Sequence, residues 1–536
     1  MPTGGDTGPR DGPGGTVGTR LNHAGPGALL RRHWLLAILL TAGVVLRAAA
    51  QIAYRPALLY IDSIKYLFGA YAGDDPPGYL LVLKPFLAVG NLDMVAAVQH
   101  LLGLAMAVAL YLLMRRRGVP RWLAALATAP ILLDGYQIQI EQTIMPDTLF
   151  EALIVTGLVA LLWRPKPDRW MIITGGLALG ASAPIAQIGE ILIVPAVVFL
   201  LAAVPGWRAK LIQGAALCAA FALPIAAVSF RDYVTIHRFS LAPYAQSTIY
   251  GRMADAADCQ TLRIPSYERS LCPTRQQQAR GPDWLDHGLR SPIKAFHAPP
   301  GRHAHKIVTN FSHSVAAQQP LRVLSAVFRD SVKLFAMART TSPGDTPISR
   351  WQFQTFFPVY PPYITFHAGR LRFAQTTPSG SLKILRIGQP FGGGNPVVDR
   401  PVAAFLRAYQ LDGGYTPGPL FLLAAVTGLL GSLGVLRRRW PPAQRGTAAA
   451  CLVMWVAAVA VLLGSDVFEF SWRYQLPVLV TLVPAGALGI TVVIGYLSPR
   501  RGRRAGQQVP AQTSRTAAAL SDERAELQAR DRASAG

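Results

Sequence analysis

Stretches of about twenty apolar residues recur along this chain, separated by short polar segments in which arginines cluster. A helix of about that length spans the hydrocarbon core of a bilayer. Charged residues make up only 15% of the sequence, whereas globular chains carry roughly 25% and need them to cover a surface in water. The pattern therefore indicates an all-α polytopic membrane protein and excludes a soluble globular domain.

The apolar runs predict about ten transmembrane helices. They cover residues 34–53, 93–114, 119–135, 148–163, 170–187, 190–204, 211–229, 419–436, 447–464 and 475–497. With these spans, every basic cluster at a span end falls on one side of the membrane, which the positive-inside rule assigns to the cytoplasm. A rival interpretation of the first span is a cleaved signal peptide, but Arg47 interrupts its apolar stretch.

These spans divide the chain into five parts. We predict disordered cytoplasmic tails at 1–33 and 499–536, a seven-span bundle with catalytic external loops at 34–229, a mixed external section at 230–418 between spans seven and eight, and three C-terminal spans at 419–498. Within the external section, 321–339 carries apolar residues at helical spacing with Arg322, Arg329 and Lys333 between them. That pattern is typical of an amphipathic helix lying on the membrane surface.

The formal charge of +24 would suggest a nucleic-acid partner in a soluble protein. Here much of the basic charge lies at span ends, so membrane lipids are the predicted partner and nucleic acid is not. Most basic residues are arginine, and Ala, Gly and Pro are abundant. This usage resembles that of a GC-rich bacterial genome and favours a bacterial plasma membrane.

Two cysteines of the external section lie close together in the sequence. Cys259 and Cys272 are in a compartment that permits disulfides if the topology holds, so we predict a bond between them, with two unpaired thiols as the alternative. His303 and His305 are the other pair of metal-ligand type, but no carboxylate accompanies them. We therefore predict no metal site.

Three carboxylates near external span ends are candidates for chemistry. Asp62 lies among apolar and aromatic residues just after the first span, where it is either a helix N-cap or a general base with a raised pKa. Asp147 precedes the fourth span and is likewise either a cap or a catalytic group. Glu141 lies in the same loop, with no structural role evident from the sequence.

Cationic groups on the external side are candidates for binding phosphate. Arg473, in the polar turn before the last span, is the first candidate, followed by Arg231 after span seven and His303 with its basic neighbours. Arginine binds phosphate through two parallel hydrogen bonds. The alternative for both arginines is that they extend to lipid headgroups.

Several short motifs occur in an order that resembles the GT-C class of integral membrane glycosyltransferases. They are Asp62 after the first span, then Asp75-Pro76-Pro77-Gly78-Tyr79, Gln99-His100, Glu141 with Met145-Pro146-Asp147, and Arg473-Tyr474-Gln475-Leu476-Pro477. The similarity is to the bacterial branch related to protein O-mannosyltransferases and aminoarabinose transferases. It covers mainly 34–165, with a weaker match at 466–480.

The resemblance implies transfer of a sugar from a polyprenyl-phosphate donor to an extracytoplasmic acceptor hydroxyl on a lipid, glycan or protein, with inversion. It places the essential acidic role on Asp62, a second acidic role on Glu141 or Asp147, and a donor-phosphate role on Arg473. It implies no fixed cofactor and leaves a divalent cation open, because Ser63 stands where some relatives carry a second acidic residue.

Two other classes remain as alternatives. A transporter would show repeated halves and charged residues in paired broken spans, and the sequence shows neither. A non-catalytic cell-envelope assembly protein would tolerate loss of the Asp62 carboxylate, whereas the enzyme would not.

Overall fold

The computed structural model describes residues 31–497, except for 69–74, 90, 243–248, 358–363, 368–369, 377–381, 388–395 and 438–440. The predicted tails therefore lie almost entirely outside the described residues. The helices of the N-terminal part are α1 (Trp34–Ala53), α2 (Ser63–Phe68), α3 (Gly78–Val89), α4 (Leu92–Arg116), α5 (Arg121–Leu126), α6 (Ala129–Leu133), α7 (Gly135–Gln142), α8 (Asp147–Leu162), α9 (Arg169–Ser182), α10 (Ile193–Ala203) and α11 (Trp207–Ile236).

The remaining helices belong to the external section and the C-terminal part. They are α12 (Tyr250–Ala256), α13 (Arg275–Gln278), α14 (Gly281–His287), α15 (Pro292–Ala295), α16 (Ala304–Gln318), α17 (Pro320–Val332), α18 (Arg400–Leu411), α19 (Gly418–Ser432), α20 (Pro442–Asp466) and α21 (Val478–Leu497). Short 3-10 helices cover Gln187–Leu192, Ser266–Leu271, Lys333–Phe335, Ile348–Trp351 and Leu433–Leu436.

Over the residues that the structure describes, the sheets are one two-stranded and one three-stranded antiparallel sheet. Strand β1 (Tyr54–Arg55) pairs with β5 (Val397–Val398), which ties the end of α1 to the external section. Strands β2 (Ile364–His367), β3 (Arg370–Thr376) and β4 (Leu382–Ile387) form a three-stranded sheet in sequence order. The predominantly helical fold with little sheet is therefore confirmed, and the external location of residues 230–418 stays a prediction.

Six helices among the described residues are long and apolar enough to cross a membrane: α1, α4, α11, α19 with its 3-10 extension, α20 and α21. The prediction of ten spans is not confirmed. The other four predicted spans coincide with shorter helices: the third is divided into α5 and α6, and the sixth into a 3-10 turn and α10. Pro130 stands at the start of α6 and has no N–H to continue the ladder from α5, which explains the first division.

The two ends of the bundle differ in character. At one end, His33 before α1 lies 2.6 Å from the Tyr111 hydroxyl near the end of α4. Arg117 donates there to the carbonyls of Leu162 (2.7 Å from Nε) and Gly446. The arginine clusters around 32, 116 and 164 thus share this end, as the sequence predicts. The loops that carry Asp62, Asp147 and Arg473 meet at the other end.

Small residues let the last helices approach closely. A Cβ added to Gly489 of α21 would lie 2.1 Å from the Thr427 carbonyl oxygen of α19. Such contact between backbones is common where membrane helices pack, because lipid offers no hydrophobic drive for association. The α19–α21 contact therefore depends on the absence of a side chain at this position.

The amphipathic segment of the external section forms a shorter helix than predicted. It is helical as α17, continues as the 3-10 turn Lys333–Phe335, and ends before Arg339. Leu321, Leu324 and Phe328 are exposed on one face, whereas Ala326 and Val327 are buried on the other. This exposed apolar row suits the surface of a bilayer, and that role remains a proposal.

Gly489→Ala should destabilise the protein by about 1–3 kcal/mol, because its methyl group would force α19 and α21 apart. Gly495→Ala in the same helix is the matched control, since its Cβ would meet only the Gln444 side chain at 3.6 Å. Thermal unfolding in detergent measures both. Equal melting temperatures for the two variants would contradict the described packing.

Candidate active site

The segment after α1 brings three charged side chains together. The Lys65 ammonium lies 3.3 Å from Asp62 Oδ1 and 2.7 Å from Asp75 Oδ2. Burial opposes the charged form of Lys65, but the two carboxylates outweigh it and raise its pKa. The Asp62 carboxylate therefore pairs with a cation at the start of α2. The Asp62 side chain is 25% exposed.

Arg473 joins the same cluster from the loop between α20 and α21. Its Nε lies 2.7 Å from Asp147 Oδ1, and its Nη1 lies 3.6 Å from Asp62 Oδ2. Burial disfavours its charge, but Asp147 overcomes that effect, so the pKa of Arg473 lies well above its ordinary value. A continuous series of alternating charges therefore runs through Asp147, Arg473, Asp62, Lys65 and Asp75; we call these five residues the charge cluster.

Backbone pairing sets the two carboxylate loops side by side. The Leu58 amide donates to the Gln142 carbonyl at 3.0 Å, and the Ile144 amide donates to the Leu58 carbonyl at 3.0 Å. The Ser63 hydroxyl adds a bond to the Ile144 carbonyl at 2.8 Å. These bonds hold the start of α2 against the loop before α8, which brings Asp62 and Asp147 within reach of one arginine.

Aromatic side chains frame the buried side of the cluster. The rings of Tyr60 and Trp351 lie 4.7 Å apart, and the Arg473 guanidinium lies 5.3 Å from the Trp351 ring. Arg350 donates to the Tyr60 hydroxyl at 3.1 Å. Since Arg350 and Trp351 belong to the external section, that section forms part of the site.

Glu469 is a further carboxylate of the Arg473 loop. Its carboxylate accepts a bond from the Thr346 hydroxyl at 3.4 Å. Burial, and then the negative charge of Asp283, raise the pKa of Glu469 to about 8, although Arg350 and Arg473 oppose this. Burial thus favours the neutral form of the Glu469 carboxyl group, which can donate a hydrogen bond.

Glu141 is not part of the charge cluster. It is fully buried, with Oε1 at 2.8 Å from Arg47 Nη2 and Oε2 at 2.9 Å from His100 Nδ1. Gly103 leaves room for it, since a Cβ there would lie 2.2 Å from Oε1. Glu141 thus neutralises Arg47 of α1 inside the bundle, a structural role that the sequence did not reveal.

The other predicted phosphate ligands lie elsewhere. Arg231, near the end of α11, pairs with its neighbour Asp232 at 2.6 Å. His303 is exposed before α16, with its ring 5.6 Å from that of His305. No described contact joins Arg231 or His303 to Arg473.

The remaining site predictions concern the cysteines and a metal. Cys259 and Cys272 form a disulfide in the external section, with Cα atoms 6.0 Å apart. Over the described ranges, no three His, Cys, Asp or Glu side chains are grouped to hold a metal ion.

Sequence reasoning missed Lys65, although a signal for it was present. Lys65 follows Asp62 at i+3, the spacing at which oppositely charged side chains meet on a helix. Its second partner, Asp75, lies beyond the undescribed residues 69–74, and no periodicity links the two. Lys65 is the most exposed cation of the charge cluster, at 27% of its side chain.

Glu141→Gln should reduce stability rather than slow a chemical step, because it leaves the Arg47 charge buried without a counter-charge. Breaking such a pair costs about 3–5 kcal/mol. Arg47→Met combined with Glu141→Gln should recover part of the loss, since both charges are then absent. Thermal unfolding measured by size-exclusion chromatography tests this, and an unchanged melting temperature for Glu141→Gln would exclude the structural role.

Glu469 predicts a pH dependence of stability. Its pKa is higher in the folded protein than its ordinary value of 4.5, so the folded state binds the proton more tightly. The stabilisation that protonated Glu469 gives the folded protein is complete below pH 4.5 and is lost as the pH rises through about 8. In Glu469→Gln, which cannot ionise, this decrease of stability with rising pH should be absent. A melting-temperature profile that keeps the same slope in the variant would contradict the assignment.

Comparison with known proteins found one family model that is similar to part of this chain. Residues 62–238 match the model of the dolichyl-phosphate-mannose-protein mannosyltransferases. This segment covers less than half of the chain and includes Asp62, Lys65, Asp75, Glu141 and Asp147. No curated protein matches the chain in sequence.

Three solved structures that match this chain have low sequence identity to it. The Saccharomyces cerevisiae protein O-mannosyltransferase Pmt1-Pmt2 complex bound to the sugar donor is 15% identical with a TM-score of 0.30, covering 44% of this chain and 38% of that one. The apo oligosaccharyltransferase of Archaeoglobus fulgidus is 12% identical at 0.41, covering 89% and 52%. ArnT from Cupriavidus metallidurans in the apo state is 13% identical at 0.29, covering 82% and 78%.

This chain thus spans only about half the length of the archaeal protein, and less of the yeast one. Over residues 62–238 it is similar to the dolichyl-phosphate-mannose-protein mannosyltransferases, which confirms the resemblance to integral membrane glycosyltransferases drawn from its sequence.

Proposed function

We propose that this protein is a membrane glycosyltransferase that moves a sugar from a polyprenyl-phosphate donor to an acceptor hydroxyl. The observation that carries the proposal is the contact of Asp62, a partly exposed carboxylate, with the two cations Lys65 and Arg473. Such a group of one base and two cations serves a reaction that takes a proton from one reactant and releases an anionic phosphate from the other. The family match over 62–238 supports the same reaction class.

Lys65 and Arg473 are the proposed ligands of the donor phosphate. Both are paired with carboxylates in the structure, at 2.7 Å from Asp75 and from Asp147 respectively. A phosphate group offers several strong acceptor oxygens, so it competes with a carboxylate for a guanidinium or an ammonium. As the leaving phosphate gains charge, these two cations would stabilise it.

Asp62 is the proposed general base. In the free protein both neighbouring cations pair with its carboxylate. When the donor phosphate engages Lys65 and Arg473, Asp62 would be released towards the acceptor. Its carboxylate takes the acceptor proton while the acceptor oxygen bonds to the anomeric carbon. The bond from that carbon to the phosphate oxygen breaks, its electron pair stays on the phosphate, and the configuration inverts.

Asp147 is the better candidate than Glu141 for the second acidic role. Its Oδ1 orients Arg473, whereas its Oδ2 has no hydrogen-bond partner among the described residues. A sugar hydroxyl of the donor could satisfy that oxygen. Both oxygens of Glu141 are taken by Arg47 and His100 inside the bundle.

The proposed reaction takes place on the extracytoplasmic face of a bacterial plasma membrane. Arginine clusters share one end of the bundle, and the charge cluster lies at the other. From the positive-inside rule we propose that the arginine end and both termini are cytoplasmic. Acceptors on this face would be lipids, glycans or proteins of the cell envelope.

Asp62→Asn should slow sugar transfer by about 10²–10⁴-fold, because it removes the base but keeps the shape of the side chain. It should bind the donor as tightly as the wild type or more so, since a competitor for Lys65 and Arg473 has lost its charge. Arg473→Ala should instead weaken donor binding. Transfer from a panel of radiolabelled polyprenyl-phosphate sugars by purified protein in nanodiscs measures both effects.

Asp258→Asn is the matched control for Asp62→Asn. Asp258 pairs with Arg322 in the external section, and its side chain is 28% exposed, close to the value for Asp62. This control should transfer sugar at the wild-type rate. Retention of most transfer activity by Asp62→Asn would contradict the role of Asp62 as the base, and the catalytic carboxylate would then be sought at Asp147 or Glu141.

A further inference from the structure

A second buried ion pair lies beside the charge cluster. Asp134, between α6 and α7, accepts two bonds from the Arg339 guanidinium, at 2.7 Å from Nη2 and 3.3 Å from Nη1. Both side chains are buried, with 0% and 4% exposed. Asp134 also accepts from the amides of Tyr136 and Thr416 at 3.0 and 2.8 Å. The pair therefore joins the transmembrane bundle to the external section.

Three aromatic rings enclose the Arg339 guanidinium. Its central carbon lies 4.5 Å from the ring of Tyr136 and 5.4 Å from the rings of Tyr415 and Trp472. A guanidinium stacked on aromatic faces and paired with a carboxylate on its edge has little freedom to move. We call Asp134, Arg339 and these three rings the arginine cage.

The arginine cage is connected to Arg473 through one residue. Trp472 precedes Arg473 in the loop between α20 and α21, and its indole N–H donates to the Thr340 carbonyl at 3.0 Å. The next contact along the loop is similar, since Trp351 Nε1 donates to the Ser471 hydroxyl at 3.1 Å. Two successive residues before Arg473 are thus held by the external section.

We propose that the arginine cage is a positioning device that holds Arg473 in place and thereby sets the affinity of the site for a lipid phosphate. Arg473 lies in a loop without regular secondary structure. A long side chain in such a loop reaches a phosphate with fixed geometry only if its backbone is fixed too. The proposal rests on the proposed function, because it assumes that Arg473 binds the donor phosphate.

A buried ion pair is a poor device for stability alone, since apolar side chains of the same volume often stabilise as well. What an ion pair adds is a unique geometry. Asp134 keeps its two backbone donors when Arg339 is replaced, so the cap of α7 and the contact with Thr416 should survive. Arg339→Gln should lower the free energy of unfolding, because it leaves the Asp134 charge without its counter-charge, but these remaining bonds should keep the helices in place.

The test measures the affinity of the full-length protein in nanodiscs for undecaprenyl phosphate. Arg339→Gln should weaken it by about tenfold, within the range of couplings between contacting residues. Trp472→Phe, which loses the bond to Thr340 but keeps a ring, should weaken it less. Transfer at saturating donor should change little in both variants, so that KM rises while kcat is retained. Arg322→Gln, a surface arginine of the external section, should match the wild type.

Combination with Arg473→Ala distinguishes positioning from general destabilisation. If Arg339 acts through Arg473, then Arg339→Gln should cause no further loss of affinity once Arg473 is absent. Two losses that add, or a lowered melting temperature with unchanged affinity, would overturn the proposal.

A third measurement separates this proposal from the proposed function. If Arg473→Ala leaves phosphate affinity unchanged, the donor role of Arg473 fails. The arginine cage is then tested by the accessibility of the loop that carries Arg473. A cysteine at buried Ser471, introduced with Cys218→Ser, should react with a maleimide faster in the presence of Arg339→Gln. An unchanged alkylation rate would exclude the cage as the element that holds this loop.

Discussion

A charged side chain that leaves water needs an opposite charge or several hydrogen bonds beside it, and the site depends on this constraint. Arg473 lies against Asp147 and Asp62, which come from two different loops of the N-terminal bundle. Because Arg473 itself lies just before the last helix, its pairing joins the two halves of the membrane part. These contacts offset the cost of burying the Arg473 charge. They also bring the proposed base and the proposed phosphate ligand together.

Two other buried arginines follow the same rule with different consequences. Arg47 and Glu141 lie wholly inside the bundle, so their pair connects α1 to α7 and is closed to a substrate. Arg339 and Asp134 link the external section to the bundle. The charge cluster differs from both because Lys65 and Asp62 remain partly exposed, which leaves them open to exchange partners with a ligand.

The sequence predicted the helices better than their lengths, and individual site residues better than their pairing. Apolar runs located the membrane helices, but Pro130 and the 3-10 turn before α10 shortened two of the predicted spans. Asp62 and Arg473 were identified separately because polar residues at span ends are conspicuous. Their partnership spans most of the chain, and no local pattern encodes a contact of that separation. For the same reason Arg47 looked like an interruption of a span, although it is the partner of Glu141.

In the proposed mechanism, Lys65 and Arg473 exchange carboxylates for the phosphate of the donor and so release Asp62. A cryo-electron microscopy structure of the protein with bound undecaprenyl phosphate tests it directly. We expect phosphate density between the Lys65 ammonium and the Arg473 guanidinium, with the Asp62 carboxylate no longer in contact with either cation. Phosphate bound elsewhere, such as beside His303, with the charge cluster unchanged, would contradict it.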